Sequence, residues 1–397
     1  MPSLDLTDSL SARDAALPRA RDVWWVDRVR GQLFSRLAKS FLGPLLVQRE
    51  RRLALIASCG ILGALALSVL APAWLLLVGP LVLGVPHLAS DVRHLVLRRA
   101  LPRGFLLVVL VACASLIALR GLESLRVFSG WGGRAELGIA SLWLFIAWWA
   151  GGEARPRNSS DASSSQGSHH HDRGERSAIA LGGLVIFLAV ISQVWPYESR
   201  LFLAHAHNLI ALLLWVQLFA AGASQGRGRR WVILPTLLCA LSVLTLLWLP
   251  AQSLTLRYGV LRLWSFDVLE TARWLAPFES ARWSLGLTLC YAALQSMHYT
   301  LWLYCIPQSD TRAQGSLTFR MTLRSWLSDF GAFALGLLCL ATLALILGAT
   351  LNADGARSVY LSVAGFHAYL ELALWVFLLR RGVLPSRESA RQHSNSC

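Results

Sequence analysis

Histidine side chains lie inside apolar stretches of this chain, and an imidazole at membrane depth is costly to bury without a partner. Imidazole nitrogens are common ligands of iron, copper and zinc, whereas the seven cysteines show no paired spacing of the kind that binds zinc. The pattern therefore predicts a metal or a haem held by histidines within a membrane. The histidines lie in four separate stretches and are His87, His94, His205, His207, His298 and His367.

Two of these histidines are each followed by a carboxylate one helical turn later. Asp91 follows His87 and Glu371 follows His367, and residues four apart share one face of an α-helix. A carboxylate so placed commonly accepts the second ring N–H of a ligating imidazole and fixes its orientation. We expect Asp91 and Glu371 to be the catalytic groups beside the metal. The alternatives are neutralising pairs that only stabilise helix packing and, for Asp91, an ion pair with an arginine.

Helical geometry and position within a span narrow the set of candidate metal ligands. His205 and His207 project about 200° apart on a helix, so only one of them can face a common centre. We favour His205 because it shares a side with Asn208, and we expect His94, close to the end of its span, to be interfacial. The predicted metal ligands are therefore His87, His205, His298 and His367, with His94 and His207 as weaker candidates.

The composition places the chain among integral membrane proteins, because 55% of its residues are hydrophobic, only 15% are charged and the mean hydropathy is +0.52. Apolar runs of about 18 to 25 residues can cross a bilayer as helices, which satisfy every backbone group internally. The expected fold is an all-α polytopic bundle at 53–380 with ten transmembrane helices. Their predicted ranges are 53–71, 73–97, 104–120, 134–150, 177–196, 199–222, 231–250, 284–306, 326–350 and 358–380.

The basic residues predict the orientation of this bundle. Of the 37 Lys and Arg residues, 28 lie in the segments that alternate onto one side, and such an excess marks the cytoplasmic side. Both termini are therefore expected in the cytoplasm, and the expected location is a bacterial inner membrane. The net charge of +15 belongs to this membrane surface and favours anionic lipid as a partner. Nucleic acid is not an expected partner, because no soluble domain remains to bind it.

Four segments outside the spans have compositions of their own. Residues 1–52 are basic and contain, at 21–42, the pattern of a helix lying in the membrane interface. Residues 151–177, rich in Ser and Gly, predict a flexible cytoplasmic loop, and residues 381–397 are expected to form a cytoplasmic tail. Residues 251–283 predict an amphipathic helix on the outer surface, with apolar side chains at Leu261, Trp264, Val268, Leu269, Ala272 and Leu275.

One of the histidine stretches resembles a known family. The segment Gly84–Asp91, with the sequence GVPHLASD, is similar to the Gly-x-Pro-His-Gly-x-x-Asp signature of the Brp/Blh-type β-carotene 15,15′-dioxygenases, integral membrane proteins that cleave β-carotene to retinal. The resemblance covers about eight residues, and Leu88 stands where the family has glycine. It implies a non-haem Fe(II) that uses O2 to split an apolar carotenoid substrate. It also implies that His87 is an iron ligand and Asp91 its supporting acid.

Other functions remain compatible with the same residues. Depths counted along the predicted spans differ by on the order of 12 Å among the four ligands, so one centre and two sites are both open. Two sites would suit a b-type haem electron carrier in which the histidines ligate in pairs. Asp91 and Glu371 would suit a proton-coupled transporter, and zinc or copper is an alternative to iron. A structural protein whose histidines only bond across helices is the last alternative.

Overall fold

The computed structural model describes residues 24–40, 43–99, 101–125, 131–153, 167–222, 228–277, 280–309 and 319–381. Nearly every residue in these ranges is helical, which confirms the all-α bundle that the apolar runs predict. The first 23 residues, residues 154–166 of the predicted loop and the predicted tail from 382 onward lie outside the described residues.

The elements follow one another with short connections. The first helices are α1 (Trp25–Ala38), α2 (Gly43–Val47), α3 (Arg49–Leu70), α4 (Trp74–Leu97), α5 (Arg103–Ser124), α6 (Gly132–Glu153), α7 (Gly167–Val194) and α8 (Pro196–Gly222). They are followed by α9 (Gly228–Leu247), α10 (Leu249–Tyr258), the antiparallel strands β1 (Arg262–Leu263) and β2 (Phe266–Asp267), α11 (Val268–Leu275), α12 (Ala281–Thr300), α13 (Phe319–Leu351), α14 (Ala353–Ala364) and α15 (His367–Arg381). The predicted loop at 151–177 is helical at both of its ends, because α6 continues to 153 and α7 begins at 167.

Seven helices of the described chain are long and apolar enough to cross a membrane, so the chain is an integral multi-pass membrane protein. They are α3, α4, α5, α6, α8, α13 and the α14–α15 pair. The pair α9–α10, bent by 70°, would make an eighth. The apolar part of α7, Ala180–Val194, is shorter, and α12, which carries several polar side chains, does not belong to the seven. Each predicted range lies on a helix or a helix pair, but the count of ten spans is not confirmed.

Helix α4 departs from regular α-helical geometry on both sides of His87. The segments Trp74–Val78, Pro80–Gly84 and Val92–Leu97 are π-helical, whereas Val85–Asp91 is α-helical. Pro80 and Pro86 each lack the N–H that would close an α-helical turn, so the backbone widens instead of continuing a regular hydrogen-bond ladder. Helix α12 likewise continues as a π-helical segment, Leu301–Cys305, and then as the short helix Ile306–Ser309. Such turns are frequent at functional sites.

Residues 249–275 form a compact cap instead of one amphipathic helix. Helix α11 spans only 268–275, and the side chain of Asp267 caps it by accepting the backbone N–H of Leu269 at 2.7 Å. Leu261 and Trp264 belong to the hairpin region, where Trp264 has a φ of 53°, a value that an α-helix does not contain. The predicted helix is therefore wrong at Leu261 and Trp264. The cap still buries apolar side chains, including Phe266, against the bundle.

Helix α13 lies at the edge of the bundle, and polar contacts hold its first half against α1 and α4. Asp27 of α1 caps it by accepting the backbone N–H of Phe319 at 2.7 Å. Asp329 pairs with Arg98 of α4 at 3.0 Å. The helix is interrupted at Gly331, whose φ of 77° lies in the left-handed region that favours glycine. Beyond this kink the apolar side chains are mostly exposed, as expected of a surface that faces lipid.

Gly84→Ala is expected to destabilise the protein by about 1–3 kcal/mol, because the new Cβ would overlap the Tyr360 side chain that lies against the glycine backbone. Thermal unfolding of the detergent-solubilised protein measures the effect. Gly63→Ala is the matched control, since Gly63 lies in the interior of α3 with open space around it. Equal melting temperatures for Gly84→Ala and the wild type would contradict the close contact with Tyr360.

Candidate metal centre

Four helices bring one histidine each to a common point inside the bundle. His87 comes from α4, His207 from α8, His298 from α12, and His367 is the first residue of α15. The ring centroid of His87 lies 4.6 Å from that of His298 and 5.3 Å from that of His367. The ring of His207 completes the cluster, 5.5 Å from His298 and 5.2 Å from His367. The structure therefore contains one histidine cluster and not two separate pairs.

Each of these four imidazoles presents its Nδ1 atom to an acceptor. A backbone carbonyl oxygen only accepts, so in His207, His298 and His367 Nδ1 carries the ring proton and Nε2 is left with a free lone pair. The His87–Asp91 contact has an ion-pair distance without the alignment of a good hydrogen bond. The oxygens nearest to Nδ1 are Asp91 Oδ1 for His87 at 3.3 Å, the Leu203 backbone carbonyl for His207 at 3.1 Å, the Asn208 backbone carbonyl for His298 at 3.3 Å and the Ala364 backbone carbonyl for His367 at 2.6 Å.

The Nε2 atoms that remain free point toward one another. Nε2 of His87 and Nε2 of His298 are 3.0 Å apart, and Oε1 of Glu371 lies 3.2 Å from the latter. Since Nε2 of His298 carries a lone pair, this distance requires either the Nε2–H tautomer of His87 or a cation between two lone pairs. Two ligand atoms that each lie about 2.1 Å from one ion, in directions at a right angle to each other, are about 3.0 Å apart. The observed distance therefore fits two ligands of a single metal ion. The ligand atoms of His87, His298 and His367 all lie within 4.8 Å of one another.

Two carboxylates share this buried site. Asp91 and Glu371 face each other, are 0% and 1% exposed, and form a second group of possible ligands with His87. Among the described residues, no side chain outside the pair donates a well-aligned hydrogen bond to their four oxygens, and neither carboxylate pairs with Lys or Arg. Buried carboxylates without donors or counter-ions are costly, so the site needs added positive charge. The residues present therefore fit a divalent cation.

The structure places His207 in the cluster and not His205, so the predicted choice of His205 is wrong. His207 is buried in the cluster, whereas Nδ1 of His205 faces the Leu201 carbonyl and its ring lies against Tyr291, 5.5 Å between centroids. The rotation of α8 explains this. Ala211 and Trp215, one and two turns beyond His207, are fully buried. Leu209 and Leu213, at the corresponding positions beyond His205, are exposed to lipid.

His94 is buried but lies outside both groups of possible ligands among the described residues. His94 lies three residues before the end of α4, and its expected position near the membrane interface stays a prediction. The π-helical segment that begins at Val92 changes the angular step per residue, so His94 does not continue the stripe of His87 and Asp91.

Aromatic side chains from α12 and its extension surround the cluster. The rings of Tyr299 and Trp302 lie 5.2 and 6.2 Å from the ring of His87, and Trp302 is fully buried. The hydroxyl of Tyr299 also faces that of Tyr360, the residue that lies against Gly84. Because the link between Tyr299 and Tyr360 joins two distant parts of the chain, no spacing in the sequence indicates it.

Comparison with known proteins adds no relative: no family model, no curated protein and no solved structure matches the chain. The similarity of Gly84–Asp91 to the dioxygenase signature therefore depends on those residues alone. Within that segment, His87 and Asp91 are the two side chains that reach the cluster.

Proposed function

We propose that the four-histidine cluster binds a metal ion and that the protein is a membrane non-haem Fe(II) oxygenase acting on a lipid-soluble substrate. One observation carries the proposal: Nε2 of His87 and Nε2 of His298 lie 3.0 Å apart, and Oε1 of Glu371 lies 3.2 Å from Nε2 of His298. His87, His298, His367 and Glu371 would hold the ion, with His207 beside them. Asp91 would orient His87 through Nδ1, the usual role of an outer carboxylate.

The donor set favours non-haem iron over the alternatives. Imidazole together with carboxylate is the ligand chemistry of mononuclear Fe(II) oxygenases, in which the bound metal supplies open positions where O2 and substrate react. A haem would have to place its macrocycle between two axial imidazoles. The rings of His87 and His298 meet edge to face with centroids 4.6 Å apart, which leaves no space for a macrocycle between them. Zinc and copper accept similar ligands and are distinguished from iron by metal analysis.

The surroundings of the cluster support an apolar substrate. Trp302 and Tyr299 provide an aromatic wall, and the helices around them face lipid on their outer sides. A substrate dissolved in the bilayer would then reach the cluster sideways. The resemblance of Gly84–Asp91 to the β-carotene dioxygenases makes a carotenoid, cleaved with O2 to retinal, the substrate we propose. The proposed location is the inner membrane of a bacterium.

A proton-coupled transporter is the second candidate. Asp91 and Glu371 face each other without donors, and a carboxyl pair of this kind can retain a proton in place of a metal ion. Such a protein would purify without stoichiometric metal. Transport that survives the combined Asp91→Asn and Glu371→Gln substitutions would remove this candidate.

Metal analysis combined with an optical spectrum tests the leading proposal. We expect about one iron per chain and no intense Soret band. In cells that produce β-carotene, expression of the protein is expected to bleach the orange colour and yield retinal, and His87→Ala is expected to abolish both effects. An intense Soret band would remove the non-haem assignment. Persistent colour with folded, iron-loaded protein would remove the carotenoid while leaving the metal centre standing.

A further inference from the structure

A row of polar side chains continues from the histidine cluster along the contact between α8 and α12. On α12, Tyr291, Gln295 and His298 recur at spacings of four and three residues and share one face. On α8, His205 and Asn208 are three residues apart and also share a face. We call His205, Asn208, Tyr291 and Gln295 the polar seam.

Two contacts fix how the faces of the seam meet. The ring of His205 lies 5.5 Å from that of Tyr291, and Nδ1 of His298 lies 3.3 Å from the Asn208 carbonyl. Gln295 lies between Tyr291 and His298 on the same face, so its amide is placed between these contacts. The polar seam therefore runs from His205 to the edge of the histidine cluster.

The seam contains hydrogen-bond acceptors without donors. Asn208 donates through Nδ2 to the Ala204 carbonyl at 3.2 Å, which leaves Oδ1 buried with no partner. His205 has Nδ1 on the Leu201 carbonyl at 3.0 Å, so its buried Nε2 is an acceptor with no partner. Asn208 is 0% exposed, which places its free oxygen fully inside the bundle.

Gln295 adds a third unpartnered atom. Its Nε2 donates to the hydroxyl of Tyr299 at 3.1 Å and, more weakly, to that of Tyr291 at 3.4 Å, while its Oε1 is buried with no partner. In a bilayer no bulk water satisfies such atoms, and leaving them unpaired is costly. These atoms need a hydrogen-bond donor, because the oxygen of Asn208 and the free nitrogen of His205 can only accept hydrogen bonds.

We propose that the polar seam binds a hydroxyl group, supplied either by an alcohol on the lipid-soluble substrate or by ordered water. At its His205 end the seam lies next to the lipid-facing surface, where the half-buried imidazole is flanked by the exposed side chains of Phe202 and Leu209. An alcohol that enters there would anchor its hydroxyl on Asn208 and Gln295 beside the cluster. A hydroxylated lipid would then be the preferred substrate, and a plain hydrocarbon such as β-carotene would bind more weakly. That the hydroxyl belongs to a substrate rests on the proposed oxygenase function, whereas the binding of a hydroxyl group by the seam does not.

A matched pair of probes tests the proposal. β-Carotene and its dihydroxylated analogue differ only in hydroxyl groups, and their binding to the full-length protein in nanodiscs is measured by quenching of tryptophan fluorescence. We expect the hydroxylated probe to bind about tenfold more tightly, since each satisfied buried acceptor favours the partner that supplies its hydrogen bond. Gln295→Met and Asn208→Leu are each expected to reduce this preference to about twofold or less. Ser296→Ala, whose hydroxyl is already bonded to the Ala292 carbonyl, is the control and is expected to keep it.

The outcomes separate the two sources of the hydroxyl. Preference for the hydroxylated probe, lost in Gln295→Met, supports the substrate as the source. Equal binding of both probes, with water density on Asn208 or His205 in an experimental map, supports water. Equal binding with no such water overturns the proposal. Metal content of the same samples is a separate readout, because a protein without metal would contradict the proposed oxygenase while the probe preference still reports on the polar seam.

Discussion

His298→Ala is expected to leave the purified protein without bound metal, whereas the wild type retains about one ion per chain. The substitution removes the Nε2 atom that lies 3.0 Å from Nε2 of His87 and 3.2 Å from Oε1 of Glu371. Loss of an outer hydrogen-bond partner alone typically costs 10–100-fold in metal affinity, so loss of a ligand is expected to cost more than about 100-fold. Plasma mass spectrometry of dialysed protein measures the bound metal.

Two further variants make this result specific. His205→Ala removes a histidine of α8 that does not reach the cluster, and it is expected to keep its metal. His298→Gln keeps much of the side-chain volume and is expected to lose metal while its circular dichroism and gel-filtration profile stay like those of the wild type. Full metal occupancy in folded His298→Ala protein would contradict the proposed centre.

The sequence predicts which residue types meet at the candidate site better than it predicts their arrangement. Apolar runs and buried histidines indicate a helical membrane protein with imidazole ligands, and the His87–Asp91 spacing predicts a contact that the structure contains at 3.3 Å. These are local properties, set by helical periodicity and by the cost of burying charge in lipid. Glu371 was predicted in the site as the partner of His367, but its closest imidazole is that of His298 on another helix.

The depth of the ligands was not predictable, because it depends on breaks in the helices. The predicted span at 358–380 is one continuous helix, whereas in the structure α14 ends at Ala364 and α15 begins at His367. The π-helical segments of α4 also change the rise and rotation of the backbone on both sides of His87. Counting residues at a constant rise therefore gave a spread in depth that the folded chain does not have.

Helical geometry alone does not predict which face of α8 points into the bundle. Residues 205 and 207 differ by a fixed angle, but the absolute direction of either depends on which face the rest of the helix buries. The structure buries the face with Trp215 and exposes the face with Leu209, both of them large apolar residues. In a membrane, lipid accepts such side chains as well as the protein core does, so apolar character does not distinguish the two faces.

Glu371→Gln is expected to change stability in opposite directions with and without metal. In metal-free protein the amide replaces a buried carboxyl that has no hydrogen-bond donor and faces Asp91, so we expect a gain of about 1–3 kcal/mol in the free energy of unfolding. In wild-type protein, metal at 1,000 times its dissociation constant adds about 4 kcal/mol, and the variant is expected to lose most of this gain. Thermal unfolding with and without a chelator measures both effects.

Glu136→Gln is the matched control, because Glu136 is also about 1% exposed but its carboxylate has partners. Arg120 donates to Oε1 of Glu136 at 2.6 Å and the hydroxyl of Tyr369 donates to the same atom at 2.7 Å. Glu136→Gln is expected to destabilise the metal-free protein and to leave the stabilisation by metal intact. A Glu371→Gln protein that is less stable than the wild type under chelation would show that Glu371 is already compensated without metal. The charge argument for a divalent cation would then fail.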